Sequence, residues 1–152
     1  MIKIMFVCHG NICRSPMAEF LMKDFLAKEG DKRFYVASSA TSNEETGNPV
    51  HPGTVRVLNK LGISCRGKVA TKLTAEDYCR YDYFVGMDQN NKRNMLKIFG
   101  GDSQNKVSLL LDYTDNPRDV ADPWYTGNFD ATYRDISLGI SRFYQYLNDK
   151  KN

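Results

Sequence analysis

Metal-ligand patterns are nearly absent from this chain. It has two histidines, His9 and His51, and four cysteines at positions 8, 13, 65 and 79. The cysteines fit neither a disulfide framework nor zinc pairs of the C-x-x-C kind, so no metal or other cofactor is expected, and Cys65 and Cys79 read as ordinary buried or half-buried thiols. No apolar run approaches the ~18 residues of a membrane-crossing helix. The opening Met1–Val7 stretch is too short for the apolar core of a signal peptide, so no membrane association is expected and cytoplasmic residence is the default. One-sided charge is lacking too: 21 Lys+Arg against 18 Asp+Glu leave +3, too little to call for nucleic acid, though it suits anionic substrates as well as an ordinary solvated surface. No repeat, low-complexity tract or linker divides the 152 residues, a length that supports one domain, residues 1–152, with a core that needs no covalent staples.

What is present is an alternation of strand and helix signals. Ile2 to Val7 is almost wholly apolar, as in a strand covered on both faces. A helix is expected over Pro16–Lys28, with Phe20, Leu21 and Phe25 inside and Gly30 as its stop. A second strand follows at Phe34–Ser39, a polar loop at Ala40–Pro52, and a helix at Thr54–Lys60 ended by Gly62. Thr74–Asp77 reads as a capped turn before a strand at Tyr81–Met87. Asp88 is placed to cap the next helix, which Gly100 and Gly101 end, and Lys106–Leu111 is the fourth strand. The last helix, Asp130–Leu147, carries Tyr133, Ile136, Ile140, Phe143 and Leu147 on one stripe. The expected fold is a doubly wound α/β domain: a four-stranded parallel sheet with helices on both faces, in the flavodoxin-like order 2-1-3-4. In such sheets ligands bind beyond the carboxyl ends of the strands, where the winding reverses, and the loop after the first strand belongs there.

That loop is the most informative stretch of the chain. Cys8 and Arg14 bracket five residues, and Ser15 and Pro16 follow. A short loop between a strand and a helix can turn its backbone N–H groups inward around an anion. Cys8 then lies at the floor of the cup, and Arg14 at its rim can hold two phosphate oxygens with parallel bonds. A thiol at a helix N-terminus beside a cation is expected to ionise more readily than the ordinary one near ~8.5, which makes Cys8 a candidate nucleophile. His9, Gly10, Asn11, Ile12 and Cys13 would line the bound oxyanion. Ser15 and Pro16 read as a hydroxyl cap and the proline of a first turn.

On this loop, together with Asp122-Pro123-Trp124-Tyr125 near the other end, the chain resembles the low-molecular-weight protein tyrosine phosphatases over nearly its whole length. The resemblance implies removal of phosphate from protein phosphotyrosine through a phosphocysteine intermediate, with no metal. The expected partners are phosphotyrosine-containing proteins and inorganic phosphate or similar oxyanions as product or inhibitor, the protein itself being a monomer or weak dimer. A thiolate nucleophile needs an acid to protonate the departing phenolate. From the residues alone Asp112, Asp115, Asp119 and Asp130 compete for that role; resemblance to the family's Asp-Pro pair singles out Asp122. Trp124 and Tyr125 are expected to wall the entrance and stack on an aryl ring, and the family likeness marks Tyr125 as a candidate regulatory site. Ser15 is expected to hydrogen-bond the Cys8 sulfur.

Three further expectations follow from the resemblance. Cys13 is placed either to trap Cys8 in a reversible disulfide or to fill space behind the loop. Asn11 is expected to brace the loop with Ser15, Ser38 and a histidine, but the histidine is missing, because Gly67-Lys68 stands where many relatives have His-Lys. Asn43-Glu44 stands where relatives often place an aromatic after an aspartate, so Glu44 is expected to repel acidic phosphopeptides. The competing readings are a protein-arginine phosphatase, against which the paired aromatics speak, an arsenate reductase relay recruiting Cys65 and Cys79, and a phosphate-binding module without turnover.

Overall fold

A computed structural model describes residues 1–150, so the last two positions of the expected domain lie outside the described residues. Four strands, β1 (Ile2–Cys8), β2 (Phe34–Ala40), β3 (Tyr83–Gly86) and β4 (Val107–Leu109), form one parallel sheet in the order β2-β1-β3-β4. Five helices accompany it: α1 (Arg14–Glu29), α2 (Pro52–Lys60), α3 (Gln89–Phe99), the four-residue α4 (Pro123–Thr126) and α5 (Phe129–Lys150). The expected doubly wound order is thus the observed one. Among the described residues no helix is long and apolar enough to cross a membrane.

β1 shows why its sequence is apolar throughout. Ile4, Phe6 and Cys8 point into the larger core with α1, α2 and α5, while Met5 and Val7 point to the other face with Phe84, Met95 and Val107. Alternation along one strand therefore feeds two cores. β1 lies between β2 and β3, so the reversal of winding falls at its carboxyl end, and Cys8 is its last residue.

Several boundaries differ from the sequence expectation. α1 starts at Arg14, not Pro16, with Cys13 as the N-cap residue and no side-chain capping bond. Ser15 is thus no cap: it sits in the first turn, and its hydroxyl is engaged with the Cys8 sulfur. Phe20 and Phe25 are half-buried, and the inner face of α1 is Met17, Ala18, Leu21, Met22 and Leu26. α2 begins at Pro52 because His51 caps it, its Nδ1 accepting from Gly53 N at 3.0 Å. β4 is cut to three residues because Leu110–Tyr113 winds into a 3₁₀ turn. On α5, Ile136, Ile140, Phe143 and Leu147 are buried as the stripe predicts, with Tyr133 half-buried.

A polar clamp ties the α1–β2 turn to α5. Asp31 Oδ1 accepts from Arg33 N (3.0 Å) and Nε (2.9 Å), and Asp31 Oδ2 accepts from Tyr144 Oη at 2.8 Å. The Arg33 guanidinium holds the Asp31 carboxyl far below its usual value near 3.8. A carboxyl depressed in the folded state stabilises the fold above the unfolded-state value and loses that contribution as pH falls. Asp31→Asn is accordingly expected to lower the Tm at neutral pH, with the gap to wild type closing as pH drops below about 4. Thermal melts giving the same gap at neutral and at acid pH would contradict this.

Candidate active site

The turn between β1 and α1 wraps its backbone around the Cys8 sulfur. Asn11 N and Ser15 N point at Sγ from 3.3 and 3.4 Å, and Ser15 Oγ lies 3.0 Å away. The turn depends on Asn11 adopting φ 57°, a left-handed conformation that asparagine tolerates better than most side chains. Its amide is then fixed on all sides: Oδ1 accepts from Thr71 N (3.1 Å), and Nδ2 donates to Ser15 Oγ (2.8 Å) and Ser38 Oγ (2.9 Å). Asn11 and Ser15 thus stand behind the loop, not in the space that a ligand would fill.

Arg14, 2% exposed, is held along one edge. Its Nη1 donates to Asp88 Oδ2 and to the Val120 carbonyl, both at 2.8 Å. Its Nη2 reaches Asp122 Oδ2 at 3.3 Å. Burial works against the guanidinium charge, but the Cys8 sulfur, Asp88 and Asp122 outweigh it and push its pKa up. Asp88 does two jobs, since its other oxygen caps α3 by accepting from Asn91 N at 2.8 Å. Sequence reading assigned it only the cap. Its place just after β3, the neighbour of β1, was the one available sign that it could face Arg14.

Asp122 is fixed by the short helix it starts. Its Oδ1 accepts from Trp124 N at 3.0 Å, Pro123 follows as the first helical residue, and Gly127 closes the turn at φ 71°. One carboxylate oxygen is thereby spent on the backbone and the other faces Arg14. The four rival aspartates lie elsewhere: Asp112 accepts from Leu109 N, Asp115 pairs with Arg142, Asp119 accepts from Gln89 N, and Asp130 sits in the first turn of α5. None of them lines the cleft.

That cleft, of about 130 Å³, is lined by Cys8, His9, Gly10, Ile12, Cys13, Arg14, Glu44, Glu45, Asp122, Trp124 and Tyr125. Every residue expected at the site is here except Asn11 and Ser15, which brace it from behind. Trp124 and Tyr125 are 58% and 84% exposed at the mouth. Trp124 rests edge-on against His51 (5.8 Å between centroids), which stacks on Phe129 at 5.0 Å. His51, which sequence reading noted only for failing to complete a metal site, is therefore the support of one aromatic wall. Elsewhere in the lining Glu44 Oε2 meets His9 Nε2 at 3.0 Å, and Glu45, a residue the sequence reading passed over, adds a second carboxylate.

Cys13 is buried and free, as is Cys8. Burial, the Cys8 sulfur and Asp122 push the Cys13 thiol up to about 12, so it stays protonated beside its neighbour. Cys65 is buried in the main core, but Cys79 is exposed rather than half-buried, and neither lines the cleft. Among the described residues no group of three or more His, Cys, Asp or Glu side chains could hold a metal ion.

The family model described as "Low molecular weight phosphotyrosine protein phosphatase" matches residues 3–152. The chain belongs to this family. It is 36% identical over 154 residues to the low molecular weight protein-tyrosine-phosphatase YfkJ of Bacillus subtilis, covering 99% of each chain. Against the crystal structure of YfkJ the TM-score is 0.96, with 100% of this chain and 98% of that one covered. It is 35% identical to the low molecular weight protein-tyrosine-phosphatase PtpA of Staphylococcus epidermidis, covering 97% of this chain and 94% of PtpA. DARP, a Drosophila arginine phosphatase, has the same fold at 25% identity and a TM-score of 0.87, over 96% of this chain and 98% of its own.

Proposed function

We propose that this protein is a cytoplasmic protein tyrosine phosphatase in which Cys8 is the nucleophile, Arg14 the phosphate clamp and Asp122 the general acid and base. The observation that carries the reading is the placement of the sulfur: it receives hydrogen bonds from two backbone amides at the floor of a cleft whose walls are Arg14 and Asp122. Pure binding needs neither a thiol in that position nor a carboxyl opposite it. Four free cysteines suit a reducing compartment.

In the first step the Cys8 thiolate attacks phosphorus in line while Arg14 and the backbone N–H groups of the loop hold the equatorial oxygens. The P–O bond to the phenol breaks, its electron pair stays on the phenol oxygen, and that oxygen takes the proton from Asp122. In the second step water attacks the phosphocysteine and gives a proton to the Asp122 carboxylate. The S–P bond breaks, inorganic phosphate leaves, and the sulfur takes back its electron pair under the Ser15 hydroxyl. His9, Gly10, Ile12 and Cys13 form the wall around the phosphate. Trp124 and Tyr125 form a wall that matches an aryl ring and has no counterpart need in a guanidino phosphate.

A turnover panel tests this reading. Phosphotyrosine peptides and aryl phosphates are expected to be hydrolysed at least about a hundredfold faster, in kcat/KM, than phosphoserine or phosphoarginine peptides, the discrimination that a positioned acid and an aryl platform together supply. Arsenate with thioredoxin as reductant is expected to give no turnover, because neither Cys65 nor Cys79 lines the cleft. Preference for phosphoarginine would overturn the assignment.

A further inference from the structure

Behind the phosphate-loop side of Cys8 lies a line of hydrogen bonds with a half-buried cation at its end. Lys68 Nζ, on a side chain 14% exposed, donates to the Ser38 carbonyl at 2.9 Å and stands 3.6 Å from Glu19 Oε1. Glu19 Oε1 accepts from Ser38 Oγ at 2.6 Å, and Ser38 Oγ accepts from Asn11 Nδ2. The second hydrogen of that amide goes to Ser15 Oγ. An amide nitrogen only donates and an ionised carboxylate only accepts. Asn11 therefore gives both of its hydrogens away and Ser38 gives its own to the Glu19 carboxylate, while the Ser15 hydroxyl, accepting from Asn11 on one lone pair, keeps its hydrogen for the Cys8 sulfur once that sulfur is a thiolate.

The position of Lys68 has a backbone cause. Lys68 N donates to Cys65 O at 3.2 Å, closing a turn whose third residue, Gly67, has φ 88°, the position at which such turns favour glycine. A side chain at 67 would start into open space. The turn instead delivers the next residue, Lys68, to Ser38 and Glu19, so the missing histidine has its place taken by the lysine beside it.

We propose that Lys68 is a positioning residue of the phosphatase, a half-buried cation that anchors the Glu19 carboxylate and the Ser38 carbonyl and so places its charge at the end of the hydrogen-bond line that reaches the Cys8 sulfur through Ser38, Asn11 and Ser15. The inference rests on the catalytic reading of Cys8 given above. Burial lowers the pKa of Lys68, while Glu19, and further off the Cys8 sulfur, support its charge. An interaction that favours the ammonium favours the anion it faces by the same amount. The other charged or titratable groups facing this line are, at the Glu19 end, Lys23, which pairs with Glu19 Oε2 at 2.5 Å, Cys65 and Tyr81, and, in the cleft with the Cys8 sulfur, His9, Cys13, Arg14, Glu44, Glu45 and Asp122.

The test follows the pH dependence of Cys8 alkylation by iodoacetamide, read by mass spectrometry on the Cys8 peptide, beside the kcat/KM profile for an aryl phosphate. In Lys68→Met the acid limb of both is expected to move to higher pH, so that alkylation on that limb slows about three- to tenfold. Lys68→Arg is expected to stay near wild type. Lys68→Gln keeps a donor for the Ser38 carbonyl without the charge and should behave as Lys68→Met does; it decides the matter if Lys68→Met does not fold. Wild-type acid limbs in Lys68→Gln would overturn the inference while turnover stood. Absence of turnover in the wild type would sink the phosphatase reading alone, because the alkylation limb reports the sulfur directly.

Discussion

Cys8→Ser is expected to reduce turnover of aryl phosphates to less than about one ten-thousandth of wild type, the scale on which loss of a covalent nucleophile acts, while inorganic phosphate still binds. The asymmetry follows from what the substitution touches. The N–H groups of Asn11 and Ser15 point at the position of Sγ from the backbone, and Arg14 is held by Asp88 and the Val120 carbonyl. None of these contacts depends on sulfur. A serine hydroxyl in the same place is too poor a nucleophile to be activated there, because no general base stands behind it: the neighbour at that position is the Ser15 hydroxyl, which already receives a hydrogen from Asn11. Cys13 cannot substitute, since burial, the largest cause, and Asp122 still push its thiol up when Cys8 is gone. Stopped assays with a sensitive fluorogenic phosphate, together with calorimetric titration of phosphate, check both halves. Residual turnover within about tenfold of wild type would move the chemistry to another group, and loss of phosphate binding together with turnover would mean that the loop itself had collapsed.

How much of this was legible beforehand depends on the reach of each interaction. The strands, the helices and the capping of α3 by Asp88 rest on patterns within a few residues, and the sheet order, which joins distant strands, follows from the topology rules for alternating strands and helices. The start of α1 was misplaced because Ser15 carries the residue type of a cap but spends its hydroxyl on a sulfur seven residues back. Asp88 as the partner of Arg14, His51 as the support of Trp124, and Glu44 as the partner of His9 all join positions far apart in the chain. No local pattern announces such pairs. Asn11 with Ser38 was anticipated only through the family likeness. That likeness also drew attention to the missing histidine, but it could not show that a glycine turn delivers Lys68 in its stead.

The rims of the cleft show the same division. Glu44 was expected to repel acidic phosphopeptides as a free carboxylate, but it faces His9 at 3.0 Å. Glu45, whose carboxylate accepts from Asn48 Nδ2 at 2.6 Å, is the acid beside Gly10, where an added Cβ would lie 3.4 Å from Glu45 Cγ. Trp124 and Tyr125 line the same cleft, so a substrate meets acidic groups and aromatic surface together, a combination invisible in the near-balanced net charge of the chain.

Asp122→Ala is expected to slow hydrolysis of aryl phosphates by about 10²–10⁴-fold, the usual worth of a general acid. Magnitude alone does not identify an acid here, because Asp122 also caps α4 through Trp124 N and touches Arg14. Removing it could loosen the aromatic wall and the clamp together. Asp122→Asn separates these roles: asparagine caps a helix start about as well as aspartate, and its carbonyl oxygen can still accept from Trp124 N, but it cannot deliver a proton. Both variants are therefore expected to lose activity in proportion to the basicity of the departing phenol. The loss should be large for an unsubstituted phenol, whose oxygen must be protonated as it leaves, and small for a strongly acidic nitrophenol that departs as the anion. A linear free-energy plot of log kcat/KM against leaving-group pKa, steeper in both variants than in wild type, checks it. Two parallel lines, with Asp122→Asn near wild type, would mean that the carboxyl serves only to build the wall, and the proton would then have to come from the remaining acids of the cleft, Glu44 or Glu45.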